Sequence, residues 1–306
     1  MGNGVAVSLP RALLRPVLQR LVFHILGHLA ADTACRLGGT LGILAWRLGL
    51  RRRVVREQFE SCLGVRGWRR AELMRRAYAS TGAQFLQVWT IGGPDGPERH
   101  LQVLNPGWIR HIVGRHPGAV YITAHIGDWD MGAHGMTRFL PEMLAYAKAQ
   151  HNDGMDPLLN RQRQATGLRI ILVTPKDRTG AVLAVKALRR GAGLGLLPDQ
   201  KPSGGTPAWF LNRPTYCWDG MVYFAAKAKV PIVPGLALRR RAGRSVLFMG
   251  RPIPSDGDHA AVVQQCMDEL TRMAFAHPGQ YMWHHRRFAG ETPELPPRAP
   301  LPVTGR

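Results

Sequence analysis

The stretch Val120 to Gly132, VYITAHIGDWDMG, carries the residue types of general-base chemistry at a spacing that a chain reversal can use. His125 and Asp130 are five residues apart, so on one helix they would point well away from each other. Across a strand, a tight turn and a helix start they can meet. A histidine whose far ring nitrogen is held by a carboxylate is fixed in one tautomer and made more basic, so it can take a proton from a hydroxyl near neutral pH. That pairing suits acyl transfer to an alcohol. Backbone N–H groups near Gly127, at the helix start, would be placed to receive a developing oxyanion. A histidine with an acid nearby is also common in purely structural settings, so the weight must come from the rest of the chain.

The surrounding pattern supplies the strand and the helix. Val120 to Ala124 is apolar and β-branched, and a more helix-compatible run follows Asp130. Further strands are expected at Met143 to Ala147, Arg169 to Val173, Leu194 to Pro198, Ile232 to Leu238 and Val246 to Met249. Helices are expected at Pro157 to Ala165 behind Asp156, Ala181 to Arg190, Gly220 to Lys229 and His259 to Ala276. Upstream, Arg51 to Ile91 reads as helix, and a short helical stretch around Leu101 to Gly114 leads into the first strand. This alternation argues for an α/β fold with a mixed, largely parallel sheet flanked by helices. Ligand groups gather at strand carboxyl ends in such sheets, where His125, Lys176 and Asp199 would fall.

Residues 11 to 50 are the most apolar region, but Asp32, Arg36 and Arg47 interrupt them short of the roughly 20 apolar residues that a spanning helix needs. An amphipathic, membrane-associating helix or helical hairpin is expected over residues 1–60, with Arg11, Arg15, Arg20 and Arg51 to Arg53 facing lipid headgroups. The competing readings are a signal-like segment, a single tilted span and a buried helical hairpin. Residues 61–290 would form the α/β domain. Residues 291–306 hold five prolines and little apolar pattern, which reads as a disordered tail.

The 41 Lys and Arg against 20 Asp and Glu leave a net charge of +21, and only six of the basic residues are Lys. Such a surplus favours an anionic membrane surface, phosphorylated lipid, an acidic carrier protein or nucleic acid. The arginines are scattered and no recognition helix, zinc finger or RNA-binding signature appears, so no nucleic-acid partner is expected. Four widely spaced cysteines form no CxxC pair, which points to neither a disulfide framework nor a zinc site. His24 and His28 are a metal pair by spacing, yet they lack a third ligand and read better as helix histidines.

Four stretches together resemble a known family. HIGDWD at His125 to Asp130 is similar to the His-x4-Asp/Glu signature of glycerolipid and lipid A acyltransferases. Asn160-Arg161, LLPDQKPSGG at Leu196 to Gly205, and PGQYMWHHRRF at Pro278 to Phe288 match the late acyltransferases of lipid A biosynthesis in order and spacing. The likeness covers roughly residues 15 to 289. The phosphate motif of the lysophosphatidic acid branch is absent. Asp130 stands where the lipid A enzymes more often carry Glu, and Asp128 stands where a neutral residue is usual.

The resemblance implies a glycerolipid acyltransferase-like fold at the cytoplasmic face of a bacterial inner membrane, monotopic or single-span. It implies transfer of a fatty acyl group from acyl carrier protein or acyl-CoA to a hydroxyl of a membrane glycolipid such as a lipid A precursor, with no cofactor and no metal. Another lysophospholipid, a mannolipid or an aminolipid is the alternative acceptor, and a catalytically silent membrane-lipid-binding protein is the alternative class. His125 would be the base and Asp130 its orienting acid, with Asp128 or Asp199 as alternative partners. Arg161 and the Arg286-Arg287 pair are candidates for clamping phosphate, beside Asn160, Lys176, Arg178 and Gln200.

Overall fold

The protein is described here from a computed structural model over residues 24–92, 97–148, 156–173 and 179–305. Three helices open the chain, α1 (Ala31–Arg47), α2 (Arg52–Leu63) and α3 (Gly67–Gln87). Then come β1 (Leu101–Val103), α4 (Pro106–Arg115), β2 (Ala119–Ile122), α5 (Trp129–Thr137), β3 (Met143–Lys148), α6 (Asp156–Gln164) and β4 (Leu168–Val173). The chain continues through α7 (Thr179–Arg189), β5 (Gly193–Leu196), β6 (Thr206–Phe210), β7 (Arg213–Cys217), α8 (Gly220–Ala228), β8 (Ile232–Arg241), β9 (Arg244–Met249) and α9 (His259–Ala276).

Seven strands make one sheet in the order β1-β9-β8-β2-β5-β3-β4, and all pairings are parallel except β8 with β9. The expected α/β class, with a mostly parallel sheet flanked by helices, is the class observed. Strand β2 is buried along its whole length because helices cover both faces of the sheet at its centre. Its residues alternate between two cores. Val120 and Ile122 pack with α2, α3, α7, α8 and α9, while Ala119 and Tyr121 pack with α4 and α5.

Several elements differ from the sequence reading. Leu101–Val103 is a short edge strand and the helix begins only at Pro106, behind an Asn105 side chain that accepts from the Trp108 N–H. The helical stretch expected over Arg51 to Ile91 is broken at Gly64, whose φ of 65° closes α2. The β6–β7 hairpin was not foreseen. Its turn places Leu211 and Asn212 at φ of 51° and 60°, the conformation usually signalled by Asn-Gly. Pro207 and Pro214 also mask the strand pattern.

The tail expected to be disordered is held along residues 298–305. Asn212 bonds both backbone groups of Leu301, Arg298 pairs with Asp268 at 2.7 Å, and the Gly305 N–H reaches Phe275 O at 2.7 Å. Leu301 and Val303 pack against the core, so two apolar side chains outweigh the proline-rich composition. Val55 and Phe59, assigned to the N-terminal region, are buried in the main core, and the expected boundary at residue 60 falls inside α2.

Helices α1 and α3 cross with almost no side-chain spacer. Gly38 and Gly42 of α1 sit against Gly82 and Tyr78 backbone of α3, and a Cβ at Gly42 would collide with Tyr78 O. About 100° round α1 from this face runs an exposed leucine row, Leu37, Leu41 and Leu44, continued by Leu48. Among the described residues no helix is long and apolar enough to cross a membrane. The expected headgroup contacts of Arg11, Arg15 and Arg20 lie outside the described residues. The His24 and His28 rings lie tilted to each other at 4.5 Å, and no metal-binding group of three occurs among the described residues. Replacing Gly42 with Val should separate α1 from α3 and lower stability by about 2–3 kcal/mol, read as a lower Tm; an unchanged Tm would show that the crossing is not as close as described.

Candidate active site

Strand β2 ends at Ile122, and Thr123 N–H still donates to Leu196 O of β5. The chain then turns sharply, with Gly127 at φ 58° and its Cα against Ala237 O of β8. No side chain fits there. The turn is clasped by the segment that follows α9. His125 O accepts from Met282 N–H at 2.8 Å, and Gly127 N–H donates to Gln280 O at 3.1 Å. That segment is anchored in its turn by the buried Gln58, whose amide donates to Trp283 O and His285 O.

The carboxylate that meets His125 belongs to Asp199. His125 Nδ1 lies 2.7 Å from Asp199 Oδ1, and the His125 N–H donates to Oδ2 at 3.0 Å. Asp199 follows the end of β5, the strand next to β2, so adjacent strand termini deliver both groups. Burial alone would raise the Asp199 carboxyl, but the charge of His125 and the hydrogen bonds it donates outweigh burial and hold it below its usual value. With Nδ1–H given to Asp199, Nε2 carries the lone pair. The Gln200 amide stands 3.3 Å from it, a long contact that an incoming hydroxyl can replace.

The other two acids of HIGDWD are bound elsewhere. Asp130, expected to orient His125, accepts from Arg163 Nε at 2.8 Å and Gln84 Nε2 at 3.2 Å, tying α5 to α6 and α3. Asp130 sits in the first turn of α5, and these two donors, rather than the imidazole, hold its carboxylate. Asp128 is fully buried and paired with Arg239 and Ser245, beneath the turn. The N–H groups expected to receive an oxyanion are also occupied, since Gly127 donates to Gln280 O and Asp128 to Ala237 O at 2.8 Å.

A family model of bacterial lipid A biosynthesis acyltransferases matches residues 6–289. The chain belongs to this family. Comparison with curated proteins gives no match. An acyltransferase needs an apolar surface for a hydrocarbon chain beside its base, and an apolar cleft adjoins the imidazole. The cleft is narrow and lies between α5 and the sheet, with Trp129, Ala133 and Met136 on one wall and Tyr121, Met143 and Gly195 among the residues on the other. Its lining is almost wholly apolar. Trp129 joins it to the imidazole, with the two rings edge-on at 5.0 Å.

The remaining candidate residues of the acyltransferase fall into four groups. Gln200 stands at the imidazole, as described. Asn160 is half-buried and Arg161 exposed on α6; it is Arg163, two residues on, that reaches the HIGDWD segment. Arg286 is exposed, but Arg287 is buried, donating to Thr215 Oγ1, Tyr216 O and Cys217 Sγ between the rings of Phe210 and Phe288. A guanidinium so enclosed cannot clamp a phosphate, and its role is to fasten the terminal segment to the β6–β7 hairpin. Lys176 and Arg178 lie outside the described residues.

Arg163, Gln84 and Arg239 were not singled out from sequence, because their partners are 33, 46 and 111 residues away. Tyr281 is a further unforeseen neighbour. Burial and then the charge of Asp199 hold its phenol protonated far above the usual range, so it stays neutral beside the carboxylate. Two substitutions separate these roles. Asp199→Asn should lower kcat for acyl transfer by about 100- to 10,000-fold through loss of the fixed tautomer. Asp130→Ala should instead cost roughly 2–3 kcal/mol of stability by stranding Arg163, seen as a lower Tm, with a much smaller effect on kcat. The reverse order would show that the two acids had been assigned the wrong way round.

Proposed function

We propose that the chain transfers a fatty acyl group from an acyl thioester, carried by acyl carrier protein or coenzyme A, to a hydroxyl of a membrane glycolipid of the lipid A precursor class. The single observation that carries the reading is the His125–Asp199 pair at 2.7 Å beside an apolar cleft. In this reading Nε2 of His125 takes the proton of the acceptor hydroxyl as its oxygen attacks the thioester carbonyl. The tetrahedral intermediate then collapses, the carbon–sulfur bond breaks, and the proton passes from the imidazolium to the departing thiolate. Asp199 stabilises the imidazolium in between. The Trp129 and Asp130 N–H groups open α5 and have no acceptor among the described residues, which leaves them as donors for the oxyanion.

The acyl chain would lie along the cleft lined by Trp129, Ala133 and Met136, which has the apolar character of a ligand pocket. Neither metal nor cofactor takes part in this scheme. The exposed leucine row of α1 supports a place on the cytoplasmic face of a bacterial inner membrane, with the surplus of +21 suited to anionic headgroups and to an acidic carrier protein.

His125→Ala should abolish thiol release from acyl carrier protein or acyl-CoA in the presence of membrane lipid extract, with no acylated product by mass spectrometry. Near-normal turnover in that variant would end the proposal. Ala133→Phe should shorten the cleft and move donor preference toward shorter acyl chains by about tenfold or more, measured in competition between two donors. An unchanged preference would place the acyl chain elsewhere.

A further inference from the structure

Six arginines line a second cleft, and no Asp or Glu lines it. The cleft is built from parts remote in sequence: Arg36 on α1, Arg75 and Arg76 on α3, Arg239 to Arg241 at the end of β8, and the segment after α9. Its arginines are not equivalent. Arg75 and Arg76 both bond Glu72 at 2.8 Å. Arg239 is spent on Asp128, Ser80 and Gln87. Arg36, Arg240 and Arg241 are exposed and bond no carboxylate among the described residues.

An exposed arginine is ordinarily a solvated charge, and three of them on one convex face would need no further account. Here they converge on a concavity from two elements, α1 and the end of β8. Small residues, among them Gly39, Ala79 and Gly279, leave the space between them open. Holding like charges around a recess costs energy through mutual repulsion, and an anion placed among them relieves it. Guanidinium groups match the oxygens of a phosphate two at a time, which lysine does not.

The cleft is also placed to act with His125. Strand β8 runs parallel to β2 as its immediate neighbour, so Arg239 to Arg241 and His125 emerge at the same edge of the sheet from strands about 4.8 Å apart. Gln280 lines the cleft, and its carbonyl is the acceptor for Gly127 N–H in the turn after His125.

We propose that the cleft around Arg36, Arg240 and Arg241 binds a phosphate-bearing group, a phosphomonoester or a pyrophosphate, carried either by a lipid headgroup or by a soluble molecule. Its use in holding the acyl acceptor rests on the acyl-transfer reading above; the binding itself does not.

The test uses the full chain in detergent, titrated with inorganic pyrophosphate and, separately, sedimented with phosphatidylcholine vesicles with or without phosphatidic acid. The variant R36Q/R240Q/R241Q is compared with R115Q/R190Q/R251Q, which removes the same charge from exposed arginines at the opposite edge of the sheet. The cleft variant should bind phosphate at least about tenfold more weakly, while the control stays near the parent protein. Loss of binding to phosphatidic acid vesicles identifies a lipid headgroup as the source. Loss of pyrophosphate binding with vesicle binding retained identifies a soluble phosphate. Equal losses in both variants, or no phosphate binding by the parent chain in either form, would overturn the proposal. So would loss of binding to an acidic carrier protein with phosphate binding unchanged, since the cleft would then be a protein-docking surface. His125→Ala should keep full phosphate binding, so failure of the acyl-transfer reading would be seen separately.

Discussion

Asp199 is almost completely buried, yet it is held in the charged form by two N–H groups from one residue, the ring and the backbone of His125. A buried carboxylate with no partner would be costly, and a single hydrogen bond to an imidazole would leave its orientation loose. Accepting from both groups fixes the ring against the backbone that carries it. The arrangement is possible only where the end of β2 and the loop after β5 run side by side, which makes the central strand pair the constraint on which the rest depends. Everything around it serves to keep that turn in place. The segment after α9 clasps it from one side, Arg239 and Ser245 hold Asp128 beneath it, and Arg163 and Gln84 hold Asp130 beyond it.

Three acids within a short distance of one imidazole thus take three different partners. Like charges crowded around one histidine would raise each other's protonation and blur its tautomer. Giving Asp128 and Asp130 their own guanidinium groups removes that competition and leaves Asp199 alone on Nδ1. The same pairs stitch α3, α6 and β8 to the turn, so the electrostatic separation and the mechanical support are one set of contacts. At the surface the arginine surplus divides as well, part of it consumed in such internal pairs and part left open at Arg36, Arg240 and Arg241.

Much of the fold was legible because its strongest signals are local. The apolar runs of β2, β5 and β8, the helical stretch from His259 to Ala276 and the Gly- and Pro-rich breaks each mark an element without reference to the rest of the chain. The base was legible for the same reason, as a histidine delivered by a strand into a glycine turn. Its acid was not. Asp130 is close in sequence but is held by Arg163 and Gln84, whereas Asp199 is 74 residues away and is brought back by strand pairing. Asp199 stood among the alternatives because it ends a strand, but no spacing rule could rank it first. The terminal arginines show the converse limit. Arg286 and Arg287 read alike in sequence, and only burial against Phe210 and Thr215 makes one of them a fastening inside the protein. The proline-rich tail misled because composition registers what is absent from a segment, while two apolar side chains and an asparagine waiting on the hairpin decide its path.

The central claim is that Asp199 fixes His125 with its proton on Nδ1 and its lone pair on Nε2. Nitrogen-15 spectra of the histidine-labelled protein, recorded at a pH where the ring is neutral, test it most directly, because the two tautomers give distinct shifts for the two nitrogens. The account predicts the Nδ1-protonated form for His125 in the parent chain and in Asp130→Ala, and loss of that preference in Asp199→Asn. A ring protonated on Nε2 in the parent chain, or a tautomer that responds to Asp130 and ignores Asp199, would contradict it.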